Sequence, residues 1–189
     1  MTAAIILRAA RKAAGLNQTE LARLAGTSQP AISALERGAH DPSFDTLNRI
    51  LGHTGWRLIS VPSTGLPAVD AAALIATALE HGDLASAFRS LVQFNDDLAA
   101  ERGANRLALV LTAPETTGHP AWDAALAGVT EYRLNHVGIP LPDWTRGVRV
   151  AEPTIVSGSR RPQPIRHDAV PQELLARNVL IERIVLQST

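Results

Sequence analysis

The chain has 189 residues, of which 46% are hydrophobic, and its 18 Lys and Arg balance 18 Asp and Glu to a formal net charge of zero. That is the composition of a folded globular protein, long enough for two small domains rather than one large one. Cysteine is absent, which excludes disulfides, thiolate metal sites and cysteine nucleophiles.

The longest apolar runs, such as Leu107–Leu111, are far short of a bilayer-spanning segment. Arg8, Arg11 and Lys12 interrupt the place where a secretion signal needs its apolar core. The expectation is a cytoplasmic protein with no membrane attachment. Charge is uneven along the chain. Residues 1–60 carry seven basic and four acidic side chains, a balance of +3, whereas residues 61–150 carry six against ten, a balance of −4. A basic head on an acidic body suits a molecule whose head alone meets phosphate.

In chain order, Ala3–Ala14 reads as a helix with Ile6, Leu7, Ala10 and Ala14 on one side, ended by Gly15. Asn17 precedes a second helix, Gln18–Ala25, whose inner residues are expected to be Leu21, Ala22 and Leu24. Gly26 stops it, and Thr27 is placed to cap a third helix, Ser28–Arg37, with Ala31, Ile32 and Leu35 at helical spacing. Gly38 closes that helix, and Asp41-Pro42-Ser43 opens a fourth through Leu47, Ile50 and Leu51. Two short helices joined by a tight glycine turn make a helix-turn-helix, and the small Ala22 suits the steep crossing of its helices.

The run Leu16-Asn17-Gln18-Thr19-Glu20-Leu21-Ala22, followed by Gly26-Thr27-Ser28-Gln29, Ile32-Ser33 and Leu35-Glu36-Arg37-Gly38, resembles the Xre/Cro family and the lambdoid phage repressors. The resemblance covers about residues 1–55 and implies a four- to five-helix domain that binds operator DNA as a homodimer. It places Ser28, Gln29, Pro30, Ser33 and Ala34 at positions facing base edges, with Gln29 the foremost reader, since an amide pairs bidentately with adenine. Asn17, Gln18 and Arg37 fall at phosphate-contacting positions. Arg11 and Glu36 match an ion pair of the family that ties the first helix to the end of the recognition helix. Pro30 and Ala34 depart from the family's polar readers, so thymine methyl contact and DNA shape are expected to supply part of the specificity. A bundle that binds protein through the same scaffold is the competing reading. Against it, Ser28, Gln29 and Ser33 have no reason to cluster on a packing face.

Residues 56–67 read as a short strand, Trp56–Val61, followed by a linker. Such a strand would pair with its symmetry mate in a dimer, as the resemblance to antitoxin-type relatives implies. An extended exit segment, or a helix extension packed by Trp56, fits the same residues.

Residues 68–189 read as a helical dimerisation or partner-binding domain. Its expected helices are Ala68–His81, Leu84–Ala100 with a stripe of Leu84, Phe88, Leu91, Val92 and Leu98, a short apolar segment Ala104–Thr112, and Ala121–Val137. Asp96 and Asp97 are expected on a solvated face. From about residue 138 prolines recur, which predicts an extended tail with minor β-structure at Thr154–Ser157 and a helix at Val170–Arg177. The fold class is therefore mainly α. Trp122, Leu126 and Pro142-Asp143-Trp144 resemble two-part proteins in which an Xre head precedes a helical body, often encoded beside a toxin gene. That resemblance implies an autoregulating antitoxin with a cognate toxin as partner. The alternative is a stand-alone dimeric Xre-type repressor whose body dimerises or senses a small effector near Asn95, Tyr132 and His136.

Nothing in the sequence marks an enzyme. The six histidines lack zinc-ligand spacing. Gly158-Ser159-Arg160-Arg161 is similar to the glycine-serine turn of small nucleotidyltransferases, but the downstream Asp-x-Asp pair that holds magnesium there is missing. No catalytic residue, metal or cofactor is expected, and Arg160, Arg161 and Arg166 read as a basic loop for phosphate or an acidic partner.

Overall fold

The computed structural model describes residues 3–187, and its chain divides into two units, Met1–Val61 and Pro62–Thr189. The first is made of α1 (Ala3–Ala13), α2 (Gln18–Leu24), α3 (Gln29–Glu36) and α4 (Phe44–Gly52). Its core is Leu7, Ala10, Leu21, Ala22, Ala25, Ile32, Leu35, Leu47, Ile50 and Leu51. Leu24, expected inside, is 39% exposed. Residues 21, 22 and 25 share one helical face, and a step of 100° carries position 24 onto its flank. Between α2 and α3 the chain reverses at Gly26, whose φ of +63° is a left-handed conformation that side chains disfavour. The following N–H of Thr27 donates back to Ala22 O at 2.9 Å, which closes α2.

The strand expected at 56–61 is not formed. The Trp56 N–H donates to Leu51 O, Trp56 and Leu58 pack on the head core, and Ile59 is 82% exposed. The segment is extended and runs out of the head, because a single strand finds no ladder partner within its own unit. The expected linker of 56–67 is likewise divided. Its second part docks on the body, where the Leu66 N–H donates to Asp97 Oδ2 at 2.7 Å and Asn105 Nδ2 donates to Pro62 O at 2.7 Å. Asp97 is thus half-buried and holds the chain entry, in contrast to the solvated face expected for it.

The body is built from α5 (Ala68–Glu80), α6 (Leu84–Ala100), α7 (Gly103–Ala108) and α8 (Pro120–Asn135), with short α9 (Gln172–Leu175) and α10 (Arg183–Leu186). On α6 the buried positions are Ala87, Leu91, Phe94, Asn95 and Leu98, a stripe rotated from the expected one by the burial of Phe94. Helix α8 is the centre of the unit: every residue from Ala124 to Thr130 is buried, as befits a helix apolar all round. Arg106 ends α6 from outside, donating to Glu101 O and Ala99 O at 2.8 and 3.0 Å, so two terminal carbonyls are satisfied.

The proline-rich stretch from 138 is irregular but is not an extended tail. Val156, Val170, Leu174, Val179, Leu180, Ile181 and Leu186 all enter the same core as α5, α6 and α8. Thr154–Ile155 (β1) and Val179–Leu180 (β2) form a two-residue parallel pair, and the Trp144 indole N–H donates to Val110 O at 2.7 Å. The prolines break regular structure while the apolar residues between them still reach the core, a pattern with no period to betray it. No helix among the described residues is long and apolar enough to cross a membrane.

Candidate nucleic-acid interface

Helix α2 begins with a capping box. Asn17 Oδ1 accepts from the Glu20 N–H at 2.9 Å, and the Glu20 carboxylate accepts from the Asn17 N–H at 2.7 Å. The Asn17 backbone N–H and side-chain oxygen are thereby engaged in the capping box, which does not use its Nδ2 donor. The cap of α3 is Ser28, one residue later than expected, with its Oγ accepting from the Ala31 N–H at 3.3 Å. Pro30 lies in the first turn, where no intrahelical N–H bond is lost. Gln29 and Pro30 are exposed, Ser33 and Ala34 are half-buried, and Arg37 is the exposed C-terminal cap of α3. The Arg37 guanidinium donates to Ser33 Oγ, so these two side chains stand as one polar unit a turn and more beyond Gln29.

Behind this face is a buried charge pair. Arg11 donates through Nε and Nη2 to the two carboxylate oxygens of Glu36 at 2.6 and 2.9 Å, and through Nη1 to Leu16 O at 2.8 Å. Arg8, which sequence reasoning passed over, donates to the Glu36 carbonyl. Glu36 is 2% exposed. Burial by itself would raise its pKa, but the hydrogen bonds from Arg11 and Gln18 and the charges of Arg11 and Arg8 outweigh it, and the net displacement is downward. Arg11 is displaced upward, chiefly by its hydrogen bond to Glu36.

Gln18 links this pair to the exposed face. Its Nε2 donates to Glu36 Oε2 at 2.9 Å, and its Oε1 accepts from Gln29 Nε2 at 2.8 Å. Arg11, Glu36, Gln18 and Gln29 therefore form one hydrogen-bonded chain running from the core to the first turn of α3. The helix-turn-helix spacing alone places Gln18 and Gln29 at the starts of their helices. Their contact across the turn depends on the crossing of α2 and α3.

A protein-family model described as helix-turn-helix matches residues 7–55. That span contains the Arg11–Glu36 pair, the capping box, the Gly26 turn and the exposed start of α3. The head is a helix-turn-helix domain. Comparison with the curated proteins and with the solved structures returned no match. The matched helix-turn-helix span covers about a quarter of the chain.

In the body, the residues considered for an effector are engaged otherwise. Asn95 is fully buried, with Nδ2 donating to Asp96 Oδ1 at 2.9 Å and to Leu186 O at 3.2 Å, and Oδ1 accepting from Arg133 Nε at 2.8 Å. Tyr132, buried in the core, meets the exposed His136 edge to face at 4.6 Å at the C-terminal end of α8. Of the basic loop, Arg166 is paired with Asp168 at 2.7 Å and Arg160 reaches Gly82 O at 3.4 Å, while Arg161 is exposed. Among the described residues no group of three His, Asp or Glu side chains is arranged to hold a metal ion.

Proposed function

We propose that the protein is a sequence-specific DNA-binding repressor that works as a homodimer, with α3 of each copy entering the major groove and Gln29 reading a base. The observation that carries this reading is the exposed Gln29 amide, held in a set orientation by Gln18 at the start of α3. A side chain fixed in space and left open to solvent is what direct readout needs. Asn17 and Gln18, at the positive end of α2, and Arg37, beside Ser33, supply phosphate contacts that set the register. The Trp56–Val61 segment, extended and with its Ile59 in solvent, is suited to pair with the same segment of a second copy. Two heads would then read half-sites about one helical turn apart. The function is binding, with no chemical step.

A second reading makes the same repressor an antitoxin whose body holds a toxin. In that reading the toxin would cover apolar side chains that the body leaves in solvent, Leu74, Leu111, Val137 and Ile184.

The test is an anisotropy titration of the full chain against duplex DNA from upstream of its own gene and against scrambled duplex, at two salt concentrations. Preference for the upstream duplex is expected. Gln29→Ala should weaken binding to it by about 1–3 kcal/mol and leave scrambled DNA unaffected. Arg37→Ala should weaken both alike and reduce the salt slope by about one. Equal losses on both duplexes for both variants would sink this division of roles. Adding the product of the adjacent gene tests the second reading, which predicts a change in the affinity for DNA.

A further inference from the structure

We infer that a cleft in the body binds a free α-amino acid with a large apolar side chain, Arg161 taking its carboxylate and Glu182 its ammonium group. This site belongs to the body alone and goes beyond the DNA-binding reading of the head.

The cleft opens where β1 and β2 part. The Val156 N–H donates to Leu180 O at 3.3 Å, the last backbone bond between the two strands among the described residues. Beyond it one segment turns away through residues 157–165, and the other passes Ile181 and Glu182 into α10. The space between them is about 460 Å³, within the range of roughly 300–1,000 Å³ that holds small molecules. Phe88 of α6, Ile155, Ile165, Ile181 and Val185 make its walls apolar.

The lip that carries Arg161 is fixed. Gly158 sits so close on α6 that an added Cβ would lie 3.3 Å from Ala85 Cα and 3.4 Å from Phe88 Cβ. The Ser159 N–H donates to Ser157 Oγ at 3.2 Å, and the Arg161 N–H donates to Ser159 Oγ at 3.1 Å. Arg160 is engaged by Gly82 O. The Gly158-Ser159-Arg160-Arg161 run is thus a hydrogen-bonded turn that anchors the main chain of Arg161 and leaves its guanidinium at the cleft. Among the described residues neither that guanidinium nor the Glu182 carboxylate has a hydrogen-bond or ion-pair partner, although both line the same cleft.

An apolar cleft with one free cation and one free anion selects its occupant by charge. A neutral apolar molecule would strip water from both groups and return nothing. A simple anion would answer Arg161 and oppose Glu182, and a simple cation would do the reverse. A zwitterion answers both. In an α-amino acid the two charges share one carbon and the side chain diverges from them, toward the apolar walls. The guanidinium fork matches a carboxylate with two parallel bonds, and a carboxylate accepts from an ammonium group.

The test is calorimetric titration of the full chain with apolar and aromatic amino acids, one at a time, and with the deaminated and decarboxylated counterparts of each (for leucine, isocaproate and isopentylamine). At least one amino acid should bind with a Kd between micromolar and millimolar, and its two counterparts should bind about tenfold or more weakly. Glu182→Gln should remove the advantage of the amino acid over its deaminated counterpart. Arg161→Gln should remove its advantage over the decarboxylated one. Arg166→Gln breaks an exposed pair of the same segment outside the cleft and should leave binding unchanged. Thermal melting checks that each variant is folded. Absence of saturable binding by every amino acid tested overturns the inference. Counterparts that bind as tightly as the amino acid, or an equal loss in Arg166→Gln, overturn it as well.

Discussion

Glu36 is a carboxylate almost without solvent, and the head tolerates it because Arg11, Arg8 and Gln18 all donate to the same residue. Removing one member of a buried, hydrogen-bonded pair leaves the other charged and uncompensated, at a cost of about 3–5 kcal/mol. Arg11→Met should therefore lower the head's unfolding transition by that order, measured by calorimetry on the full chain. The same pair makes the head sensitive to acid. Because the folded pKa of Glu36 lies below its unfolded value, its contribution is fully present above the ordinary glutamate range near ~4.3. As pH falls from there through the lower folded value, the contribution is lost. Glu36→Gln should flatten that acid limb of the stability profile. The pairing of Arg11 with Glu36 was legible in the sequence only through a resemblance, and the role of Gln18 as a bridge to Gln29 was not legible at all. Contacts over 11 and 18 residues depend on how two helices cross, which spacing within either helix does not encode.

The helices themselves were mostly legible, because their ends are written in capping chemistry. Ser43 and Gly15 stand where sequence reasoning put them, and α6 has the bounds expected of it. Thr27 and Ser28 are both competent caps, and the choice of Ser28 follows from the backbone, which is already extended there at φ −96° and ψ 151°. Packing between elements was less legible. The centre of α8 is the example: at Gly128 an added Cβ would lie 2.5 Å from Leu174 Cδ2 and 3.3 Å from Arg177 Cδ. Leu174 is fully buried, and Arg177 is tied to Glu131 and Val148 O, so neither neighbour has room to retreat. Gly128→Ala should destabilise the body by about 1–3 kcal/mol, read as an earlier denaturant midpoint for the body with the head unchanged. A glycine inside a helix is by propensity a weak point. In the structure it is the clearance that lets α9 approach.

At the scale of the molecule, the two units have separate cores, and head and body differ in charge as the sequence indicates. The composition of residues 138–189 was misleading, because prolines advertise an extended chain while the intervening valines and leucines fill the core. That correction carries a prediction. A chain ending at Gly138 lacks Val156, Val170, Leu174, Val179 and Leu186, each at most 2% exposed, and so uncovers α6 and α8. The body of such a chain should lose its cooperative unfolding transition, while the head keeps its own. A truncated body that still melts cooperatively would show the segment to be dispensable.

The hydrogen bond from Asn95 to Leu186 O spans 91 positions of sequence. During translation the head, whose core residues run from Leu7 to Leu51, can close as soon as it clears the ribosome. The body cannot, for α6 and α8 must wait for β2 and α10 to emerge. At about 5–20 residues per second, the intervening chain takes several seconds to make. Throughout that interval a finished DNA-binding head trails an open apolar surface. Slow codons or a scarcity of chaperones would act on this protein through its body, and an aggregate of nascent chains would contain folded heads.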